Sequence, residues 1–232
     1  PVASLLGKEQ GLYDVLIRMT DETGDEVLPS AFLPAAERND LTKPIDRWVI
    51  GAAMSFCAAR KPHRVFVRMS HDSMRDQTLG TWLHQQLKAS GIDASRVVVE
   101  IGEELATTHL KEAKELRSLV THLGFGFAIE NFGSGRDSQS LLRHLPASYV
   151  KIDGALMQGL GGLGQFALQV GLGLGAGLNA PLLQRGSGGP AGHRAREGIL
   201  RGRLRTCARS LPACYLPYHN MLSVTCIFQL PD

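Results

Sequence analysis

Charged residues recur along this chain at the ends of short apolar runs. Arg68 closes RVFVR, Glu100 closes RVVVE with Glu103 just beyond, Glu130 and Asn131 follow FGFAI, and Lys151 and Asp153 end YVKID. One such residue merely marks where a strand leaves the core. Four strand ends in succession, three of them rich in carboxylates, point to a shared acidic mouth. Such a mouth suits a divalent cation with oxygen ligands that bridges to phosphate.

The elements that must hold this mouth alternate in period. Leu12–Arg18 is a short apolar run, and Thr20–Asp25 is a polar turn bent at Gly24. From Pro44 a helix is expected, with Ile45, Trp48, Val49, Ala52, Ala53 and Phe56 on one apolar face. Arg64–Met69 reads as a strand, Met74–Ser90 as a helix stopped by Gly91, and Arg96–Ile101 as a β-branched strand. His109–Leu123 reads as a helix stopped by Gly124, Phe125–Glu130 as a strand, Ser138–Leu145 as a short helix and Tyr149–Ile152 as a fifth strand. Strand alternating with helix implies α/β architecture with parallel strands and right-handed crossovers. Both a doubly wound sheet and a barrel satisfy that pattern. In a barrel, the C-terminal strand ends are the face on which chemistry is built.

Composition divides the chain. With 232 residues, 44% hydrophobic and 20% charged, it can bury a core and is not of disordered composition. Residues 1–158 carry a net −2 and residues 159–232 a net +5, and 13 of the 26 glycines lie in 159–198. Cys57 stands alone in the first part, and Cys207, Cys214 and Cys226 fall in the second without metal-type spacing, as expected of a free-thiol cytoplasmic protein. The first residues have too short an apolar run for a signal peptide and read as the edge of a fragment.

Seven segments, in order, carry a family likeness: Asp14-Val-Leu-Ile-Arg18, Pro29–Glu37, Ile45-Asp-Arg-Trp-Val49, Val67-Arg-Met-Ser70, Glu100-Ile-Gly-Glu103, Glu130-Asn-Phe-Gly-Ser-Gly135 and Val150-Lys-Ile-Asp153. Together they resemble the EAL-domain family, cyclic di-GMP phosphodiesterases and their inactive relatives, over about residues 11–160. The resemblance implies a modified (β/α)8 TIM-type barrel. Active members of that family hold two Mg²⁺ or Mn²⁺ ions with carboxylates and an Asn, and a Lys helps activate the attacking water.

The departures from the family pattern bear on activity. Asp14 stands where the family has Glu, Arg68 where it has Asn, and Glu130-Asn131 where it has Asp-Asp, so the formal charge of the six matched metal positions falls from −5 to −3. A shortened ligand suits the near-ideal Mg²⁺ octahedron poorly. A guanidinium cannot shed its proton, and it is expected to pair with Glu100 or Glu130 instead of admitting an ion. Lys151 is expected to partner Glu130 or Asp153. The resemblance therefore implies no hydrolysis, no catalytic residue and no Mg or Mn, with Asp14, Arg68, Glu100, Glu103, Glu130, Asn131, Lys151 and Asp153 forming a degenerate site. An active phosphodiesterase and a nucleotide-independent protein-binding scaffold are the alternatives.

Ligand grip is separate from chemistry. By the same resemblance Leu16 and Arg18 contact cyclic di-GMP, Arg18 at a phosphate, and Asp46 matches a contact position in some relatives. Degenerate members that keep this grip act as receptors. The substitutions resemble those of receptors that engage a PilZ-domain adaptor and regulate type IV pilus twitching motility.

Residues 161–232 do not show the family's late motifs, although a complete barrel needs some three further strands there. Their Gly and Arg without Lys suggest a shifted reading frame or a disordered segment. Gly164–Leu183 is uncharged, but Gln165, Gln169, Asn179 and Pro181 weaken it as a membrane helix, and no membrane insertion is expected. Arg194, Arg196, Arg201, Arg203, Arg205 and Arg209 lack interleaved aromatics and read as a solvated run, not a surface for a nucleic acid polymer.

Overall fold

The computed structural model describes residues 11–152 together with two strands, Ala3–Ser4 and Cys226–Gln229. Asp153, the glycine-rich and arginine-rich stretches and the rest of 161–232 lie outside the described residues. In chain order the elements are β1 (Ala3–Ser4), β2 (Leu12–Asp14), a hairpin of β3 (Met19–Thr20) and β4 (Glu26–Val27), α1 (Pro29–Arg38), α2 (Thr42–Arg60), β5 (Arg64–Arg68) and α3 (His71–Met74). They continue with α4 (Leu79–Ser90), β6 (Val97–Gly102), α5 (Glu103–Thr108), α6 (Leu110–His122), β7 (Gly126–Phe132), α7 (Ser138–His144), β8 (Tyr149–Ile152) and β9 (Cys226–Gln229).

The five strands read from the sequence are all present and lie side by side, parallel, in the order β2-β5-β6-β7-β8, with helices in every crossover. The architecture is an α/β half-barrel. Among the described residues the ring is incomplete: β2 ends the sheet on one side, and on the other β9 joins β8 antiparallel while β1 pairs with β9.

The pleat sets the site. Leu12, Phe66, Val98, Ala128 and Tyr149 form a buried cluster of their own, one residue from each of the five strands, inside the curve of the sheet. Side chains alternate across a strand, so the residue two positions on faces the same way. Those residues are Asp14, Arg68, Glu100, Glu130 and Lys151. Burying the aromatic and branched members of the inner cluster stabilises the fold by about 1.5–3 kcal/mol each. The floor is tight: the rings of Phe66 and Tyr149 meet edge to face at 5.3 Å, and a Cβ on Gly126 would lie 2.9 Å from a Val98 methyl. The larger core, including Val65, Val67, Val97, Val99, Phe127 and Ile129, packs the opposite face of the strands against the helices.

Three expectations about the helices change. The buried stripe of α2 is Val49, Ile50, Ala53, Met54 and Cys57, while Trp48 is 69% exposed and Phe56 39%. Two overlapping stripes share Val49 and Ala53, and packing against β5 selects the one rotated by a residue. The helix expected over Met74–Ser90 starts only at Leu79, with α3 ending at Met74, because the Asp76 carboxylate accepts from the Thr78 amide at 3.0 Å and its hydroxyl at 2.7 Å and closes a turn between them. A helix over Pro29–Arg38 forms despite Pro34 in its interior, and α2 begins at Thr42, ahead of Pro44. No helix among the described residues is long and apolar enough to cross a membrane.

Candidate functional site

A cavity of about 740 Å³ opens at the C-terminal ends of the strands, lined by residues of the β2 end, α1, α2, the β5 end, α5 and the β7 end. At its base, Lys151 Nζ donates to both carboxylate oxygens of Asp14, at 2.9 and 2.8 Å, and to Glu100 Oε1 at 2.8 Å. Lys151 is 3% exposed and Glu100 2%, and the Asp14 side chain 22%, so the cluster is buried except at Asp14, its partly exposed edge. Lys151 thus finds Asp14 and Glu100 and not Glu130, while Asp153, the other partner expected for it, lies outside the described residues. The second oxygen of Glu100 has no hydrogen-bond partner among the described residues. Burial, reinforced by Asp14 and Glu130 and only partly offset by Lys151, pushes the Glu100 carboxyl up to about 8. Burial opposes the Lys151 charge, but Glu100 and Asp14 outweigh it and hold its pKa above the ordinary range.

Nearer the opening, Arg68 Nη2 donates to Glu130 Oε2 at 2.5 Å, and its Nε lies 2.5 Å from Glu130 Oε1, a bidentate pair. Of the two partners expected for Arg68, Glu130 is the one in contact. Burial disfavours the guanidinium charge, yet Glu130, with Glu100 and Asp14, outweighs it and raises its pKa. Glu130 and Asn131 sit in a bulge where β7 shifts register against β8, and Asn131 takes φ +52°. Bulges re-aim side chains beside functional sites, and Asn tolerates this left-handed geometry.

Glu103 opens α5, and its Oε2 accepts from the amides of Gly133 and Gly135 at 2.9 and 3.1 Å and from Ser134 Oγ at 3.2 Å. It therefore ties down the loop after β7. A Cβ on Gly135 would lie 3.0 Å from its carboxylate, so a larger residue there would press on the Glu103 side chain.

Leu16 and Asp46 line the cavity, Leu16 with 69% of its surface exposed. Arg18 does not line it. Its Nε pairs with Glu26 Oε1 on β4 at 2.5 Å, and Nη1 donates to the Ile17 carbonyl at 2.8 Å. Asp46 accepts from the amide and hydroxyl of Ser70 at 2.8 and 2.6 Å, which fixes the start of α3. Burial raises the Asp46 pKa and the Ser70 hydrogen bonds restrain that rise. Ser70 was legible only as a motif residue. Its position just past β5 was the signal that it belongs to the mouth.

The carboxylates Asp14, Glu100 and Glu130 are thus each bound to a side-chain cation. Among the described residues no group of three or more His, Cys, Asp or Glu side chains is arranged to hold a metal ion.

A partial barrel whose strand tips converge on carboxylates and bases defines an α/β protein with its site at the carboxyl end of the strands. The EAL domain model matches residues 1–184, and the chain belongs to that family. The match reaches beyond residue 160, where the recognisable motifs end. The chain is 31% identical over 152 residues to the cyclic di-GMP phosphodiesterase PdeF of Escherichia coli, covering 64% of this chain and 20% of that protein. It is 32% identical over 151 residues to the cyclic di-GMP phosphodiesterase PdeB of Shewanella oneidensis, covering 63% and 18%. The chain thus spans about a fifth of the length of these relatives. Among solved structures, the FimX EAL domain from Pseudomonas aeruginosa bound to c-di-GMP superposes with TM-score 0.67 at 36% identity, covering 74% of this chain and 71% of that one.

Proposed function

We propose that this chain is a cyclic di-GMP receptor built on an EAL domain that does not hydrolyse its ligand, and that, as in FimX-type regulation, it acts through a PilZ-domain adaptor on type IV pilus motility in the cytoplasm. The likeness to a FimX domain bound to c-di-GMP supports the ligand. One observation carries the loss of hydrolysis: the carboxylates that would hold two divalent ions are held by Arg68 and Lys151 instead. That donor set fits a metal pair poorly. An ion entering between Asp14 and Glu100 must displace a buried ammonium, and one approaching Glu130 meets a guanidinium. No metal-assisted step is assigned here. The residues left for the ligand are Leu16, whose exposed side chain offers an apolar face to a base, and the polar groups around it.

The phosphodiesterase reading is favoured by the names of PdeF and PdeB and by the four carboxylates Asp14, Glu100, Glu103 and Glu130. Calorimetric titration with cyclic di-GMP in EDTA, beside chromatography of the nucleotide after incubation with Mn²⁺, separates the two. The receptor reading expects binding without metal and no linear pGpG. Manganese-dependent pGpG overturns it.

A further inference from the structure

We propose that Arg68, standing where the family carries a metal-ligating Asn, is itself the phosphate anchor of this mouth, with Glu130 as the residue that positions it. The inference rests on the receptor reading for the identity of the ligand, but its geometry is independent of it. Seven carboxylates line the cavity, and Arg68 is the single Lys or Arg among the described residues that do so. Lys151 is spent: its ammonium is buried against Asp14 and Glu100. Arg18 is turned to Glu26 on the hairpin. Among the described residues, a phosphodiester entering this cavity therefore meets one cation of fixed charge.

That cation is oriented and half used. Glu130 takes Nε and one Nη2 hydrogen, leaving Nη1 without a partner among the described residues. The Arg68 side chain is 62% exposed while that of Glu130 is 6% exposed, so the carboxylate lies behind the guanidinium and the free edge faces the opening. Guanidinium donors match paired phosphate oxygens, and a fork already held in place loses little freedom on binding. The backbone supports the same aim: Glu130 is delivered by the β7 bulge, and Arg68 continues the inner row through Phe66.

The test is calorimetric titration of the full chain with cyclic di-GMP in EDTA, for the unaltered protein, Arg68→Lys, and the double variant Arg68→Gln/Glu130→Gln. The double variant leaves no orphaned buried carboxylate, and its unfolding transition checks that it folds. The expected result is a loss of affinity of about ten- to a hundred-fold in the double variant, the scale of lost charge-assisted hydrogen bonds. Arg68→Lys should fall between, since an ammonium keeps the charge but not the fork, and the salt dependence of binding should flatten once the guanidinium is gone. Equal affinity in a folded double variant overturns the assignment of Arg68 and leaves the receptor reading standing. If the unaltered chain fails to bind cyclic di-GMP, the receptor reading falls, and linear pGpG and inorganic pyrophosphate then decide Arg68. Binding of either that is lost in the double variant sustains the anchor, and binding of neither overturns it.

Discussion

Lys151 and Arg68 project from the same inner row of the half-barrel, one on β8 and one on β5, and each meets carboxylates two residues beyond a buried floor. Their depths differ. Lys151 is enclosed, its side-chain hydrogen bonds going to Asp14 and Glu100, whereas the Arg68 side chain stays 62% exposed and engages Glu130 with one edge only. In the enclosed cluster, removing Lys151 leaves Asp14 and the buried Glu100 without their shared counter-cation, which gives Lys151 a structural role. At the open pair, solvent competes and donors remain free, which is what the proposed phosphate contact needs. Two cations of one inner row thus differ in burial, one enclosed and one open to the mouth.

The sharpest way to break this contrast is at the base. Lys151→Met strands Asp14 and Glu100 and should cost about 3–5 kcal/mol in urea unfolding, with part recovered when Glu100→Gln is added. A loss under 1 kcal/mol contradicts a buried structural role. Next in size, Glu103→Ala deletes the acceptor for Gly133, Ser134 and Gly135 and should cost about 1.5–3 kcal/mol. Hydrogen exchange should show that loss as faster exchange at the Gly133 and Gly135 amides.

The pH dependence follows from Glu100. Its carboxyl is pushed from 4.5 to about 8 in the folded protein, so the fold binds this proton more tightly than the unfolded chain does. Its stabilising contribution is therefore complete below about pH 4.5 and is lost as pH rises towards about 8. Thermal unfolding across that window should show stability falling with pH, and Glu100→Gln should flatten the slope. An unchanged slope in that variant assigns the effect elsewhere. The smallest effect belongs to the hairpin pair: Glu26→Gln should change stability by less than about 1 kcal/mol. It should tighten cyclic di-GMP binding a few-fold by releasing Arg18 to the mouth, and weaker binding in that variant counts against the release.

From the pattern alone strand order stayed open, since a doubly wound sheet and a barrel both satisfied it. The five strands and the end that carries the site were legible, because charged residues close the apolar runs at Arg68, Glu100, Glu130 and Lys151. Which cation meets which carboxylate was not. That depends on the curvature of the sheet and on the register shift between β7 and β8, neither of which leaves a local pattern. Arg18 was read as a phosphate contact, yet Glu26 lies within reach across a two-stranded hairpin too short to show a period. Asp46 was read as a ligand-contact position by resemblance alone; it lines the cavity, and its hydrogen bonds run to Ser70, 24 residues away, a partner no local pattern shows. The stripe on α2 failed for a different reason: helical periodicity allows two faces that share Val49 and Ala53, and only the neighbouring strands distinguish them.

The central claim is that side-chain cations, not metal ions, neutralise the carboxylates at the strand tips. Anomalous scattering from crystals grown in manganese tests it most directly. The account expects no ordered manganese between Asp14, Glu100 and Glu130, with Lys151 and Arg68 still in their ion pairs. Two manganese atoms bridged by those carboxylates, with the ammonium and guanidinium displaced, would contradict it.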